Sequence, residues 1–275
     1  MAQTVPAGPL AVRWGERLDV PPLRAGALAV ARVELENAGS ATWVPDGPRR
    51  VCLGYHFLDE LGNPIVWDGL WTRLPGTIEP GQRAEAEVNV RAPLGRGRYR
   101  LAFDLVADNR LWFSEVGNPQ AEVAADVQPR ISRRALAVRG ADEGALDGLE
   151  EPVVEESESE SEVEAIAYLA PGVVPTPEWS RRVLDAHEEG YAAVSGSIET
   201  GGGLLRRKPG ELEPWAPGTG RIPGFAYPLL CPSVLVEVEP EWTEPVAGLP
   251  ALLPPSDEPW LYDGRIALRK RSRRP

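Results

Sequence analysis

Arg83-Ala-Glu-Ala-Glu-Val-Asn-Val-Arg91 alternates strictly, with Ala84, Ala86, Val88 and Val90 on one side and Arg83, Glu85, Glu87, Asn89 and Arg91 on the other. A period of two suits a strand with one buried face; an amphipathic helix would repeat its apolar positions about every 3.6 residues. The spacing recurs at Ala29, Ala31, Val33 and Leu35, at Val51, Leu53, Tyr55 and Phe57, at Tyr99, Leu101, Phe103 and Leu105, and at Val123, Ala125 and Val127. His56 falls between the apolar positions of its run and is expected to face outward.

Turn chemistry separates these runs. Asp59-Glu-Leu-Gly-Asn63 reads as a hairpin turn in which Gly62-Asn63 supplies a positive φ. Glu79-Pro-Gly-Gln82 puts proline and glycine where a type II turn needs them. Tyr99, two residues after Gly97, is placed as a tyrosine corner whose phenol bonds backbone at a sandwich edge. Roughly seven strands with turns every 8–12 residues predict an immunoglobulin-like β-sandwich over 1–128, so the fold class expected is mainly β.

Composition narrows the rest. Of 275 residues, 29 are proline and 28 glycine, which disfavours a helical bundle. Twenty-nine Lys+Arg against 41 Asp+Glu leave a net charge of −12, the wrong sign for a phosphate-backbone binder, so no nucleic-acid partner is expected. No apolar run approaches the ~20 residues of a membrane span, and the first residues lack the basic and apolar blocks of a secretory signal, so the expected location is the cytoplasm. Cys52 and Cys231 lie far apart and are expected as free thiols. Only Lys208 and Lys270 are lysine among the basic residues, a bias associated with GC-rich bacterial genomes.

A string of motifs in the first half is more specific. Leu35-Glu-Asn-Ala-Gly-Ser-Ala-Thr-Trp43, Leu74-Pro75, Glu79-Pro-Gly81, Ala92-Pro93, Gly97-Arg-Tyr-Arg-Leu101 and Trp112-Phe113 occur in that order. Together they resemble the bacterial relatives of the four-tryptophan immunoglobulin-like domain, modules that accompany glycosyltransferases and other surface-polysaccharide proteins. The resemblance covers most of residues 10–128 and implies a non-catalytic binding or spacing module. Trp43, Trp67, Trp71 and Trp112 then have two readings. Their indoles pack at one end of the sandwich, or Trp67 and Trp71 form an exposed platform for a sugar ring or a partner chain, with Asp68 and Arg73 hydrogen-bonding hydroxyls.

Beyond Gln128 the pattern changes. Residues 129–164 read as a linker, with Ala135–Val138 as a short buried strand and Ala141–Leu149 as a helix candidate. Its end, 150–164, carries eight glutamates in fifteen residues and is expected to be a solvated loop. Residues 165–240 read as a small α/β piece: a strand at Ala165–Ala170, a turn, a helix at Glu178–Glu189 capped by Thr176 with Pro177 at its first position and Gly190 ending it, and a strand at Tyr191–Ile198. Strand, loop, helix and strand form a crossover unit. Residues 241–275 read as a proline-rich irregular tail with a basic end, Arg265–Arg274, expected to be solvated, with weak contact to anionic lipid or folding back on the acidic tract as the alternatives.

Ala165–Pro175, Trp179, the helix to Gly190 and Ala192-Ala-Val-Ser-Gly196 resemble the middle of family 2 glycosyltransferases of GT-A fold. In that family an Asp-x-Asp-type cluster at the strand's end carries the divalent metal that bridges a nucleotide-sugar diphosphate. The corresponding positions here are Leu169-Ala-Pro-Gly172, none a carboxylate, so no metal or other cofactor and no catalytic residue is expected. Asp142-Glu143 and Asp257-Glu258 read as solvated loop carboxylates, and His187 as a surface or packing residue. No Gly-x-Ser-x-Gly elbow, P-loop, His-Glu-x-x-His or Cys-x-x-Cys is present.

These readings imply a non-catalytic binding or scaffold protein linked to bacterial glycan biosynthesis. A metal-independent glycosyltransferase and a protein-interaction adaptor without a glycan role are the alternatives.

Overall fold

The computed structural model describes residues 6–107, 111–139, 141–155, 163–169, 173–199, 236–237, 252–253 and 257–270. It is mainly β, and the chain divides into two compact units. The first comprises 1–24 and 28–128, the second 25–27 and 129–275.

The first unit holds β1 (Val12–Asp19), β2 (Leu23–Arg24), β3 (Leu28–Asn37), β4 (Val51–Leu58), β5 (Pro64–Val66), β6 (Thr72–Arg73), β7 (Arg83–Arg91), β8 (Gly97–Ala107), β9 (Leu111–Trp112) and β10 (Ala121–Gln128). They form two sheets, a three-stranded one in the order β1-β3-β7 and a seven-stranded one in the order β2-β10-β8-β4-β5, with β6 on β4 and β9 on β8. Val33, Leu35, Val88 and Val90 from the small sheet and Leu53, Tyr55, Phe57, Leu101, Phe103 and Leu105 from the large one are all buried, as the alternation predicts. Tyr55 ties the large sheet to β7: its hydroxyl accepts from Arg91 N–H at 2.8 Å.

The predicted turns form. Gln82 N–H donates to Glu79 O at 2.9 Å with Gly81 at φ +79°, the type II geometry. At the β4–β5 hairpin, Asp59 Oδ1 accepts from Leu61 and Asn63 N–H while Gly62 takes φ +92°. Tyr99 Oη lies 3.4 Å from Gly95 O, making the expected corner. The small sheet's outer face is laced with cross-strand ion pairs, Arg13–Glu36–Arg83, Arg17–Glu85 and Arg32–Glu87.

The second unit contains β11 (Leu136–Arg139), β12 (Val154–Glu155), β13 (Ala165–Tyr168), β14 (Val173–Pro175), α1 (Trp179–Glu188), β15 (Ala193–Glu199), β16 (Val236–Glu237), β17 (Leu252–Leu253) and β18 (Trp260–Lys270). A parallel sheet runs β12-β11-β13, and a second sheet runs β14-β18-β15. Leu136, Val138, Ala165, Ala167, Leu169, Trp179, Val183, Leu184, Val194, Ile266 and Leu268 share one core. The helix has the expected span to within a residue at each end. Its Schellman ending is complete: Gly190 N–H donates to His187 O, Tyr191 N–H to Ala186 O, and Gly190 has φ +118°.

Several expectations are corrected. Thr176 does not cap the helix through its side chain; its carbonyl accepts from Trp179 N–H, and Pro177 lies in the turn before the first helical residue. No helix forms over 141–149, because Gly144 and Gly148 take φ of +69° and +82° and break it into turns. The crossover unit is not closed within one sheet. β13 pairs with β11, whereas β15 pairs in parallel with β18, whose buried Ile266-Ala-Leu268 triplet supplies an apolar partner. Residues 260–270 are therefore a central strand rather than a solvated tail; 271–275 lie outside the described residues. The described ends of the acidic tract are anchored too. Glu151 pairs with Arg134 and Glu150 with Arg181, while Glu164 holds Ser132; 156–162 lie outside the described residues.

Glu258, read as a solvated carboxylate, is buried and pairs with buried Arg130 at 2.6 Å. Removing one partner of such a pair strands the other charge in low dielectric, which typically costs ~3–5 kcal/mol. Glu258→Gln is expected to lower the second unit's stability on that scale, read from its urea midpoint.

His187 is a packing residue rather than a surface one. It is fully buried with Nδ1 donating to Tyr191 O at 2.7 Å. Burial drives its pKa down to about 3; the Tyr191 carbonyl pulls the other way, and the Arg130 charge adds to the depression. The unfolded imidazole titrates near 6.5, so between those values only the unfolded chain takes up the proton. This contribution to stability is complete above pH ~6.5 and is lost as pH falls towards 3, by at most ~1.4 kcal/mol per unit. Acidification from pH 7 to 5 should lower the urea midpoint of the wild type more steeply than that of His187→Gln.

Candidate functional site

Every position of β4 is buried, not only every second one. Val51, Leu53, Tyr55 and Phe57 point into the sandwich, and Cys52, Gly54, His56 and Leu58 lie on the other face of the strand. That outer face is covered by a second aromatic layer delivered by the segment after β5 and by β9. Cys52, Val106 and Trp112 form a small cluster there, with Trp71 packed against it. Trp71 meets Trp112 edge-on, with ring centroids 6.1 Å apart. Gly54 makes the layer possible, since a Cβ on it would lie 2.7 Å from Trp112 Cη2.

His56 sits beneath this layer and is wholly buried, which corrects the expectation that it faces solvent. Its ring stacks on Trp67 with centroids 4.2 Å apart and planes inclined by 22°, and meets Trp112 at 4.4 Å. Nδ1 contacts the Trp67 carbonyl, which can only accept, so Nδ1 carries a proton. Nε2 faces Asp104 Oδ2 across 3.5 Å. Asp104 is also fully buried and accepts from Leu105 N–H at 2.7 Å, and from Ser114 N–H and Gln120 Nε2, each at 3.3 Å.

The predicted site residues divide accordingly. Trp43 is buried and packs edge-on against Phe113. Trp112 is 6% exposed and belongs to the covering layer. Trp67 is 46% exposed, so with one face on His56 its opposite face and rim are open. Trp71 is half-buried, and its Nε1 donates to Asp68 Oδ1 at 2.8 Å. Arg73 is paired with Asp46. Asp68 and Arg73 thus already have protein partners, and His56 and Asp104, which hold Trp67 from below, are absent from the sequence-derived set. Their signal was a histidine and an aspartate on the outer face of runs that are apolar on the inner one.

Cys52 is a free thiol in this layer, its pKa raised by burial; Cys231 lies outside the described residues. Among the described residues no group of three or more His, Cys, Asp or Glu side chains could hold a metal ion. Of Leu169-Ala-Pro-Gly172, Leu169 is buried in the core and 170–172 lie outside the described residues. No described helix is long and apolar enough to cross a membrane. A cleft of about 370 Å³ on the small sheet is lined by Arg13, Trp14, Glu16, Glu34, Glu36 and Arg83, and in it Glu36 takes both arginines.

No protein-family model matches the chain, and no curated protein does. Solved structures with partial similarity include the C-terminal domain of Wzt, at 10% identity and a TM-score of 0.31 over 46% of this chain and 77% of that one. A β-glucosidase from Listeria innocua, in complex with gluconolactone, matches at 9% identity and a TM-score of 0.26 over 42% of this chain, which spans 15% of the enzyme. The ASH/PapD-like domain of human CEP192 matches at 17% identity and 0.22 over 46% of this chain and 89% of that one. Likeness at this level bears on neither ligand nor reaction.

The aromatic layer leaves no room at Gly54. Gly54→Val is expected to displace Trp112 and cost about 1–3 kcal/mol by overpacking, seen as a lower urea midpoint of the first unit.

Proposed function

We propose that this chain is a non-catalytic glycan-binding or scaffold protein of bacterial surface-polysaccharide biosynthesis, acting in the cytoplasm, with Trp67 as its sugar platform. The observation that carries this is a large indole left 46% exposed while its inner face is stacked on a buried imidazole. An aromatic ring held rigidly with one face open can stack on the C–H face of a pyranose at little entropic cost. Asp68 and Arg73, fixed by Trp71 and Asp46, stand near it in sequence as groups for hydroxyls. In this reading the first unit is an immunoglobulin-like binding module. The second is a reduced relative of GT-A glycosyltransferases, supported by the parallel strands β12-β11-β13 followed by α1.

Screening the protein on a glycan array and titrating the hits by calorimetry tests this. Trp67→Ala is expected to weaken glycan binding by roughly tenfold, the scale of one aromatic stacking contact, and to lower the thermal unfolding midpoint because it uncovers His56, so affinities are compared at a temperature where the variant is fully folded. Binding that ignores Trp67→Ala, or turnover of a nucleotide-sugar by the wild type, would overturn it.

A further inference from the structure

We propose that His56 is the positioning residue of the Trp67 platform, and that it restricts a ligand to the outer indole face. This rests on the platform reading for its ligand but not for its geometry. His56 grips a single residue twice: Nδ1 donates to the Trp67 backbone carbonyl while the imidazole plane lies under the Trp67 indole. The imidazole is itself packed on a further side by the Trp112 edge at 4.4 Å, and its Nε2 lies 3.5 Å from Asp104 Oδ2 without a hydrogen bond. Asp104 is held by donors from Leu105, Ser114 and Gln120, so the chain of contacts starts in β8 and the turn after β9 and ends at the exposed ring.

The consequence for recognition is geometric. The space between Trp67 and Trp112, which would otherwise form an aromatic cage, is filled by His56. A ligand therefore cannot be clasped between two indoles; it lies on one open face. That favours a sugar unit within or at the end of a chain, presented flat, over a compact cation that needs enclosure on several sides.

The test uses the full chain labelled with 5-fluorotryptophan, with the Trp67 fluorine resonance assigned by its loss in Trp67→Phe. His56→Asn keeps an N–H in the place of Nδ1 but removes the ring, and His56→Leu removes both. The resonance of Trp67 is expected to shift in His56→Asn and to shift and broaden in His56→Leu, while that of Trp43 stays in place. Glycan affinity should fall severalfold in His56→Asn and about tenfold or more in His56→Leu, the amide rescuing part of the loss. An unmoved Trp67 resonance in folded His56→Asn would overturn the proposal, as would full glycan affinity in that variant. Should His56→Leu fail to fold, His56→Asn alone decides. Should the wild type bind no glycan, the platform reading falls, and the fluorine comparison still decides whether His56 sets the ring.

Discussion

Two ionisable side chains, His56 and Asp104, lie on the outer face of the large sheet with no exposure to solvent. Taking such groups out of water is unfavourable unless each finds partners, and the arrangement around them answers most of that demand: Asp104 accepts from three donors and His56 Nδ1 donates to the Trp67 carbonyl, while His56 Nε2 is left without a hydrogen-bond partner. Asp104 draws in Ser114 N–H and Gln120 Nε2, which sets the path of chain after β9, and faces His56. His56 in turn draws in the Trp67 carbonyl and fixes the segment after β5. With those two segments in place, Trp67, Trp71 and Trp112 roof the sheet, and only a glycine at position 54 lets the roof sit down. A polar pair thus organises an aromatic layer that apolar contacts alone would leave free to slide.

The second unit solves a related problem with charge. Its segments are far apart in sequence, and Arg130 and Glu258 join its beginning to its last strand through a buried ion pair. At the surface Arg134 gathers Glu151, Asp185 and Glu188, which holds the first acidic residues of the glutamate tract against α1. These hydrogen-bonded carboxylates hold the Arg134 guanidinium above its usual pKa range. A run of glutamates that would repel itself in isolation is partly neutralised where it meets arginines, so its start is ordered chain.

What the sequence makes legible follows from locality. Period-two alternation, the Pro-Gly turn at Glu79–Gln82, the hairpin at Asp59–Asn63 and the glycine ending α1 are each decided within a few residues, and each is found in the structure. The missed features depend on partners distant in sequence. His56 reads as outward because alternation describes one strand and says nothing of a roof built from residues 67–112. Glu258 reads as solvated because Arg130 lies 128 residues away. The strand at Trp260–Lys270 is hidden by a basic, turn-rich composition, and its pairing with β15 and β14 is long-range. Of the candidate site, the sequence offers Trp67, Asp68, Trp71 and Arg73 as a proposal, and the structure adds what local sequence does not show: His56 and Asp104 lie beneath Trp67, with Asp68 and Arg73 engaged by Trp71 and Asp46.

The division of labour within the site bears on what a ligand would meet. His56 and Asp104 are sealed beneath the aromatic layer, Asp104 accepting from backbone and His56 Nδ1 donating to the Trp67 carbonyl. The groups at the surface are engaged as well, Asp68 by the Trp71 indole and Arg73 by Asp46. The Trp67 ring keeps an exposed face that can stack on a ligand. A single stacking face offers modest affinity per contact, and under the platform proposal binding would gain strength when several units of one ligand chain, or several copies of the module, engage together. The rigidity supplied from below is then the feature that matters, because a single stacking contact survives only if ordering the ring has already been accomplished by folding.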